Sequence, residues 1–337
     1  MGRCLDDLYD YGVTNLFSQI SGRACEILGL DKGTQTWHLD STSFHVDGKY
    51  NRNLKAENIS TIQINKGYSR DHRPDLNQVI LNMIVEQKAG ISLYMQALSG
   101  NTNDKTSFQE MVEKHVLSLE VPSRPIYLVA DSALYTANTI SSLSLGGQTW
   151  LTRVPATIQE VQNLTSCVDV SQMHSFEDKS LGTYRYICVG STYGEVRQEW
   201  MIVHSAEAHK EEVITLSKNY ARQSTQEAKG WTKLAEKLFT CQKDAQDALD
   251  DFKKKMKYLT LHEAKVEAVW GYKGQGRPKK EQEKVILGYQ IQGSFGCEIT
   301  HFERLCAQKG IFIIATNDII GTYTPDERLL AYKNKAK

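Results

Sequence analysis

The sequence predicts a mixed α/β sheet protein, and three observations carry that expectation. Apolar and β-branched runs at 36–44, 79–85, 91–98, 126–131 and 150–154 read as strands. Helical periodicity at 106–119 and 135–145 falls between the later of these runs. The second and third runs are joined by the turn Gln87-Lys88-Ala89-Gly90, so they make a hairpin. Hairpin-linked strands followed by helical crossovers give a sheet with both antiparallel and parallel pairs.

The elements follow in order. Residues 3–30 place Leu5, Leu8, Val13, Leu16, Phe17, Ile20, Cys25, Ile27 and Leu28 at helical spacing, with breaks expected near Gly12 and Gly22. Thr36 to Phe44 is a strand with Asp40 near its middle. Residues 45–77 are polar and irregular, and Val79 to Leu98 is the hairpin. Phe108, Met111, Val112, His115, Val116 and Leu119 mark a helix over 106–119. Ile126-Tyr127-Leu128-Val129-Ala130-Asp131 is a short apolar run ending in an acid, as expected of a buried strand. A helix from Tyr135 to Leu145 and a strand from Trp150 to Val154 follow.

From about 156 the character changes. Residues 184–189 and 195–204 flank a Gly190–Gly194 turn and read as a hairpin. Residues 207–257 hold 11 Lys/Arg and 9 Asp/Glu in 51 positions without a proline, which predicts a long solvated helix or helical hairpin. Gly274-Gln275-Gly276-Arg277-Pro278-Lys279-Lys280 is a basic breaker, Glu298 and Glu303 fall in a helix after Gly296, and 285–291 and 311–315 are strands.

Composition narrows the function classes. The 337 residues are 40% hydrophobic and 24% charged, which excludes a disordered or collagen-like chain. Forty Lys plus Arg balance forty Asp plus Glu, so nucleic-acid binding must rest on local patches. None of the seven cysteines has C-x2-C spacing, which argues against a zinc site. No secretory leader and no apolar run of membrane-spanning length is present, so the expectation is a reduced, cytoplasmic protein without a membrane partner.

Two acids stand out. Asp40 lies on the first strand and Asp131 ends the fourth, and in a sheet of this order those strands are typically neighbours. Carboxylates converging from adjacent strands suit Mg²⁺ or Mn²⁺, whose chemistry serves phosphodiester cleavage. The bland alternative is two acids that only end a strand or start a turn.

The segments around the acids add a resemblance. Asp40-Ser41-Thr42-Ser43-Phe44, Asp71-His72-Arg73-Pro74-Asp75-Leu76, Gly100-Asn101-Thr102-Asn103-Asp104 and Val129-Ala130-Asp131-Ser132-Ala133-Leu134-Tyr135 occur in that order. Thr152-Arg153-Val154-Pro155, Tyr193-Gly194-Glu195-Val196-Arg197-Gln198, Gly276-Arg277-Pro278 and Ala315-Thr316-Asn317 follow. Taken together they resemble bacterial DDE transposases of the insertion-sequence-four superfamily over nearly the whole chain.

The resemblance implies a ribonuclease-H-like core interrupted by a mostly β insertion. It implies cut-and-paste transposition of double-stranded DNA by a homodimer, through metal-dependent hydrolysis and strand transfer. Asp40 and Asp131 match the first two catalytic acids and would be the metal ligands. The third, a Glu, is expected a few residues past Lys337, and the chain resembles a fragment truncated at both ends. Glu298, Glu303 and Glu327 are the substitutes to weigh.

The division expected is a helical remnant at 1–35, the first part of the core at 36–155, an insertion at 156–309 with a helical arm at 207–257, and a return to the core at 310–337 ending before the last helix. Arg70, His72 and Arg73, and separately Arg277, Lys279 and Lys280, are candidate phosphate contacts. A non-catalytic DNA-binding or dimerising inhibitor is the rival reading, followed by a remnant with no function.

Overall fold

The computed structural model describes residues 2–334 apart from 31–35, 49, 51–61, 69–72, 113–126, 273–282 and 298. In chain order the elements are α1 (Gly2–Tyr11), α2 (Val13–Ile27), β1 (Thr36–Val46), β2 (Asn65–Lys66), β3 (Asn77–Glu86), β4 (Ser92–Ser99), α3 (Asp104–Met111), β5 (Tyr127–Ala130), α4 (Ala137–Leu145), β6 (Trp150–Arg153) and α5 (Gln159–Cys167). There follow β7 (His174–Asp178), β8 (Gly182–Tyr193), β9 (Val196–Ser205), α6 (Ala206–Glu236), α7 (Gln242–Lys255), β10 (Thr260–Gly271), β11 (Val285–Gly296), α8 (Ile299–Ala307), β12 (Ile311–Thr316) and α9 (Pro325–Lys333). The chain forms two compact units, 1–205 with 311–337, and 206–310.

The first unit is built on a ten-stranded mixed sheet in the order β2-β3-β1-β5-β6-β12-β9-β8-β7, with β4 also on β3. The pairs β1–β5 and β5–β6 are parallel, and the others are antiparallel. The two central parallel pairs explain the sequence of β5. All four of its residues are buried, as a strand covered on both faces requires. In β3 the buried residues instead alternate with half-buried ones, Ile80 and Ile84 among them.

Alternation divides the core into two layers. On one face Trp37, Leu39, Leu128, Ala130, Trp150 and Trp200 pack with Phe108 of α3, Ile140 and Leu143 of α4 and Val161 of α5. On the other, Tyr127, Val129, Leu151, Met201 and Ile314 pack with Leu329 and Ala331 of α9. Thr136 caps α4 by accepting from the Thr139 backbone N–H.

Three expectations need correction. Gly12 does separate α1 from α2, with φ 87°, but Gly22 lies inside α2. An interior glycine costs a helix only about 1 kcal/mol, and α2 packs along β4. The separate body begins at Ala206 and not at 156, because β9 pairs with β12 and carries β8 and β7 into the main sheet. Trp200 to Val203 are buried on both faces, a pattern that belongs inside a sheet. The segment after β12 also does contain a helix. Thr324 caps α9 in a capping box with Glu327, and Pro325 occupies its first turn.

The second unit has its own core of Trp231, Phe239, Ala245, Leu249 and Ile291, with β10 and β11 as a two-stranded antiparallel sheet. The expected charged arm is a pair of helices, α6 and α7. Among the described residues no helix is long and apolar enough to cross a membrane.

A buried polar cluster fastens α9 to the sheet. Arg328, 4% exposed, donates to the Asp318 carbonyl at 2.8 Å and lies 3.3 Å from the Asp318 carboxylate. It also pairs with Glu199 of β9, while the Tyr127 hydroxyl of β5 donates to Asp318. Burial alone would raise the Asp318 carboxyl. The Tyr127 hydroxyl, the Thr322 and Tyr323 backbone N–H groups and Arg328 outweigh it and pull the carboxyl down to about 2.

Removing one member of such a cluster leaves a buried charge uncompensated. Asp318→Ala is expected to cost about 3–5 kcal/mol, read as a fall in the denaturant midpoint. A carboxyl held below its ordinary value stabilises the fold above about pH 4, and that contribution fades as the pH falls towards 2. The variant should therefore show a weaker loss of stability between pH 4 and pH 2 than the parent. Equal acid sensitivity would contradict the assignment.

Candidate functional site

The site follows from strand register. In the parallel pair β1–β5, Thr36 faces Tyr127, Trp37 faces Leu128 and His38 faces Val129. Carried two residues onward, the same register sets Asp40 beside Asp131. Tyr127 and Val129 belong to the face covered by α9, and by alternation Asp131 and Asp40 follow them there. The β1–β5 ladder itself ends at His38 and Val129, and Asp40 and Asp131 each lie two residues beyond it. The sequence expectation of neighbouring first and fourth strands is met.

Just beyond Asp40 the sheet opens. β1 continues alongside β3 through Val46, whereas β5 stops at Ala130 and the chain turns away. A cleft of about 890 Å³ forms near this divergence, lined by Asp131 with Thr42, Ser43, Asn101, Asn103 and Ser132 among others, but not by Asp40. A crevice outside the carboxyl ends of parallel strands, where successive connections leave in opposite directions, is the general ligand position of open α/β sheets.

Local bonds hold the acids in place. The Asp131 carboxylate accepts from the Ala133 backbone N–H at 2.9 Å, and its carbonyl accepts from the Thr152 hydroxyl of β6 at 2.6 Å. The Asp40 carboxylate accepts from the Ser41 backbone N–H at 2.9 Å. Asp40 is exposed and Asp131 half-buried, so both remain accessible from solvent.

The loop that supplies Asn101 and Asn103 is pinned by a close backbone approach. The Gln78 side-chain amide donates to the Gly100 carbonyl at 2.7 Å and to the Tyr68 carbonyl at 3.1 Å. A Cβ on Gly100 would lie 2.0 Å from the Gln78 carbonyl oxygen, a clash that no side-chain rotation relieves.

The other candidates fall elsewhere. Arg73 forks onto Asp75 through bonds of 2.9 and 2.8 Å near the far end of β1. This fork holds the Asp75 carboxyl near 2, well below its ordinary range. Arg70, His72, Arg277, Lys279, Lys280 and Glu298 lie outside the described residues. Glu303 belongs to α8 of the second unit. The Glu327 carboxylate is engaged as a helix cap, accepting from the Thr324 backbone N–H and hydroxyl at 2.8 and 2.9 Å. Among the described residues no three His, Cys, Asp or Glu side chains converge as a metal site.

Two features were missed from sequence. Asn317 ties β12 to β6, accepting from the Trp150 backbone N–H at 2.9 Å and donating to the Gln148 carbonyl at 3.0 Å. Arg153 follows Asp131 in the next strand. Leu128 faces Trp150 and Ala130 faces Thr152 in the β5–β6 pair, so the same register sets Asp131 beside Arg153. In β6 Trp150, Leu151 and Thr152 are buried and Arg153 is exposed. Only the pairing reveals its neighbour.

No protein-family model matches the chain, and no curated protein matches it.

Gly100→Ala should destabilise the fold by about 1–3 kcal/mol, as expected where added volume meets fixed backbone. Thermal unfolding measures it. A variant as stable as the parent would mean that the 100–103 loop is not pinned as described.

Proposed function

We propose that this chain is a DDE-transposase-type protein whose acid pair binds a divalent metal ion against a DNA phosphodiester. The observation that supports the reading is the parallel β1–β5 pairing, which, continued two residues past His38 and Val129, would bring Asp40 and Asp131 to one face. Two carboxylates and no soft donor suit a hard cation such as Mg²⁺ or Mn²⁺. Such a cation also offsets the repulsion of like charges held side by side. When bound, the ion polarises a phosphoryl oxygen and lowers the cost of developing negative charge. Asp40 and Asp131 would hold it, with the Ala133 N–H and the Thr152 hydroxyl keeping Asp131 oriented.

Reading the core as ribonuclease-H-like rests on the strand order. β4, β3 and β1 form an antiparallel meander, β5 and β6 add parallel to β1, and α3 and α4 make the crossovers. The compact unit at 206–310 lies between β9 and β12 and is mainly helical, whereas the resemblance implies a mostly β insertion beginning at 156. Double-stranded DNA is the substrate on this reading, and a homodimer is the form in which the family acts.

The acid count favours a second reading for the described chain, a DNA-binding form that does not cut. In-line displacement at a two-metal site requires both ions to be placed, and two acids supply only part of that coordination. Manganese titration followed by electron paramagnetic resonance should detect a site that both Asp40→Ala and Asp131→Ala abolish. Nicking of duplex DNA by this chain alone should stay at background with Mg²⁺ or Mn²⁺. Manganese binding unaffected by either substitution would refute the metal reading. Metal-dependent nicking lost in Asp40→Ala would refute the non-cutting form.

A further inference from the structure

We propose that Arg153 and Lys333 form a binding site for a backbone phosphate of DNA beside the acid pair. The inference rests on the reading of Asp40 and Asp131 given above and adds the residues that receive the substrate's charge. Register supplies the placement: continued past His38–Val129 and Ala130–Thr152, the two parallel pairings would put Asp40, Asp131 and Arg153 in one row. At about 4.8 Å per strand, Arg153 is one step from Asp131 and two from Asp40. Ile314 and Met201 continue the row, and both belong to the layer under α9, which confirms the face.

Helix α9 brings a second cation to the same place. The Lys333 ammonium lies 4.6 Å from the centre of the Phe312 ring and 5.1 Å from that of Tyr184. The Arg153 guanidinium carbon lies 5.3 Å from the centre of the same Phe312 ring. Two positive groups therefore share one aromatic platform, although like charges repel. Among the described residues neither forms an ion pair with a carboxylate. Burial, followed by Arg153, draws the Lys333 ammonium below its ordinary value. Burial raises the Tyr332 hydroxyl, one residue before, with smaller opposing effects from Arg153 and Asp131.

Two cations on one aromatic ring, with no carboxylate ion pair among the described residues, fit an anion with several acceptor oxygens. Arg presents a planar fork to phosphate, and Lys adds a compact charge. Arg153 is exposed, and the Phe312 ring holds its guanidinium to the side of Asp131 away from Asp40. A strand whose scissile phosphate meets the acids would then set a neighbouring phosphate on Arg153 and Lys333. The site is electrostatic and reads no bases, and with zero formal net charge any DNA affinity must come from local groups such as these.

The test is fluorescence anisotropy of the full chain with a labelled random-sequence duplex in EDTA, from about 50 to 200 mM salt. Each phosphate contact contributes close to one unit to the slope of log affinity against log salt. Arg153→Gln and Lys333→Gln should each lower that slope by about one, and Arg153→Lys should keep it. Gln retains most of the stem on Phe312, and near-UV circular dichroism checks that each variant keeps the parent fold. Folded Gln variants with the parent slope would overturn the phosphate site while leaving the manganese result intact. A parent chain that binds no duplex overturns both proposals. Loss of manganese binding specificity alone, with the slopes changed as expected, would remove the metal reading and leave the phosphate site.

Discussion

The parallel pairing of β1 with β5 is the constraint on which the rest depends. Apolar packing sets its register. Leu39, Leu128 and Ala130 must enter one core layer, and Tyr127 and Val129 the other. A slip of one residue would exchange the two sets and drive Asp40 into the layer that holds Leu39 and Trp37. Burying an unpaired carboxylate there is far costlier than the correct register, so the core that stabilises the sheet also aims the acids. The same argument passes through β6 to Arg153, whose neighbours in the strand, Leu151 and Thr152, are buried.

Helix α9 completes one layer and does so at a cost. Leu329 and Ala331 cover apolar sheet, but Arg328 brings a charge into the interior. Such a charge is tolerated only with partners, and Asp318, Glu199 and Tyr127 come from three different elements. The cluster therefore fixes where the helix lies on the sheet more than it adds stability. The same helix carries Lys333 further along, where its ammonium lies over the Phe312 and Tyr184 rings. Packing, charge placement and the site are coupled through a single helix.

Much of this was legible in the sequence. The β3–β4 hairpin, the buried run of β5, α4 and β6 follow from alternation, continuous apolar character and turn residues. Asp40 and Asp131 stood out because acids are unusual on and just after buried strands. What stayed hidden depends on pairing between distant segments. The Arg328–Asp318–Glu199 cluster and the place of Arg153 have no local signature. The boundary at 206 was hidden because β8 and β9 read as an isolated hairpin until β12 returns to pair with β9. Helix α9 was overlooked although Thr324-Pro325-Asp326-Glu327 carries a capping box. Motif residues also proved partly structural: Gly100 permits a close backbone approach, Arg73 forks onto Asp75, and Asn317 bridges two strands.

The most direct test of the account is a crystal structure of the chain soaked with Mn²⁺, with the metal located by its anomalous signal. The account predicts one peak on the α9 face of the sheet, at about 2.0–2.2 Å from a carboxylate oxygen of Asp40 and one of Asp131. Carboxylates directed to opposite faces, or a peak coordinated elsewhere while the pair stays empty, would contradict it.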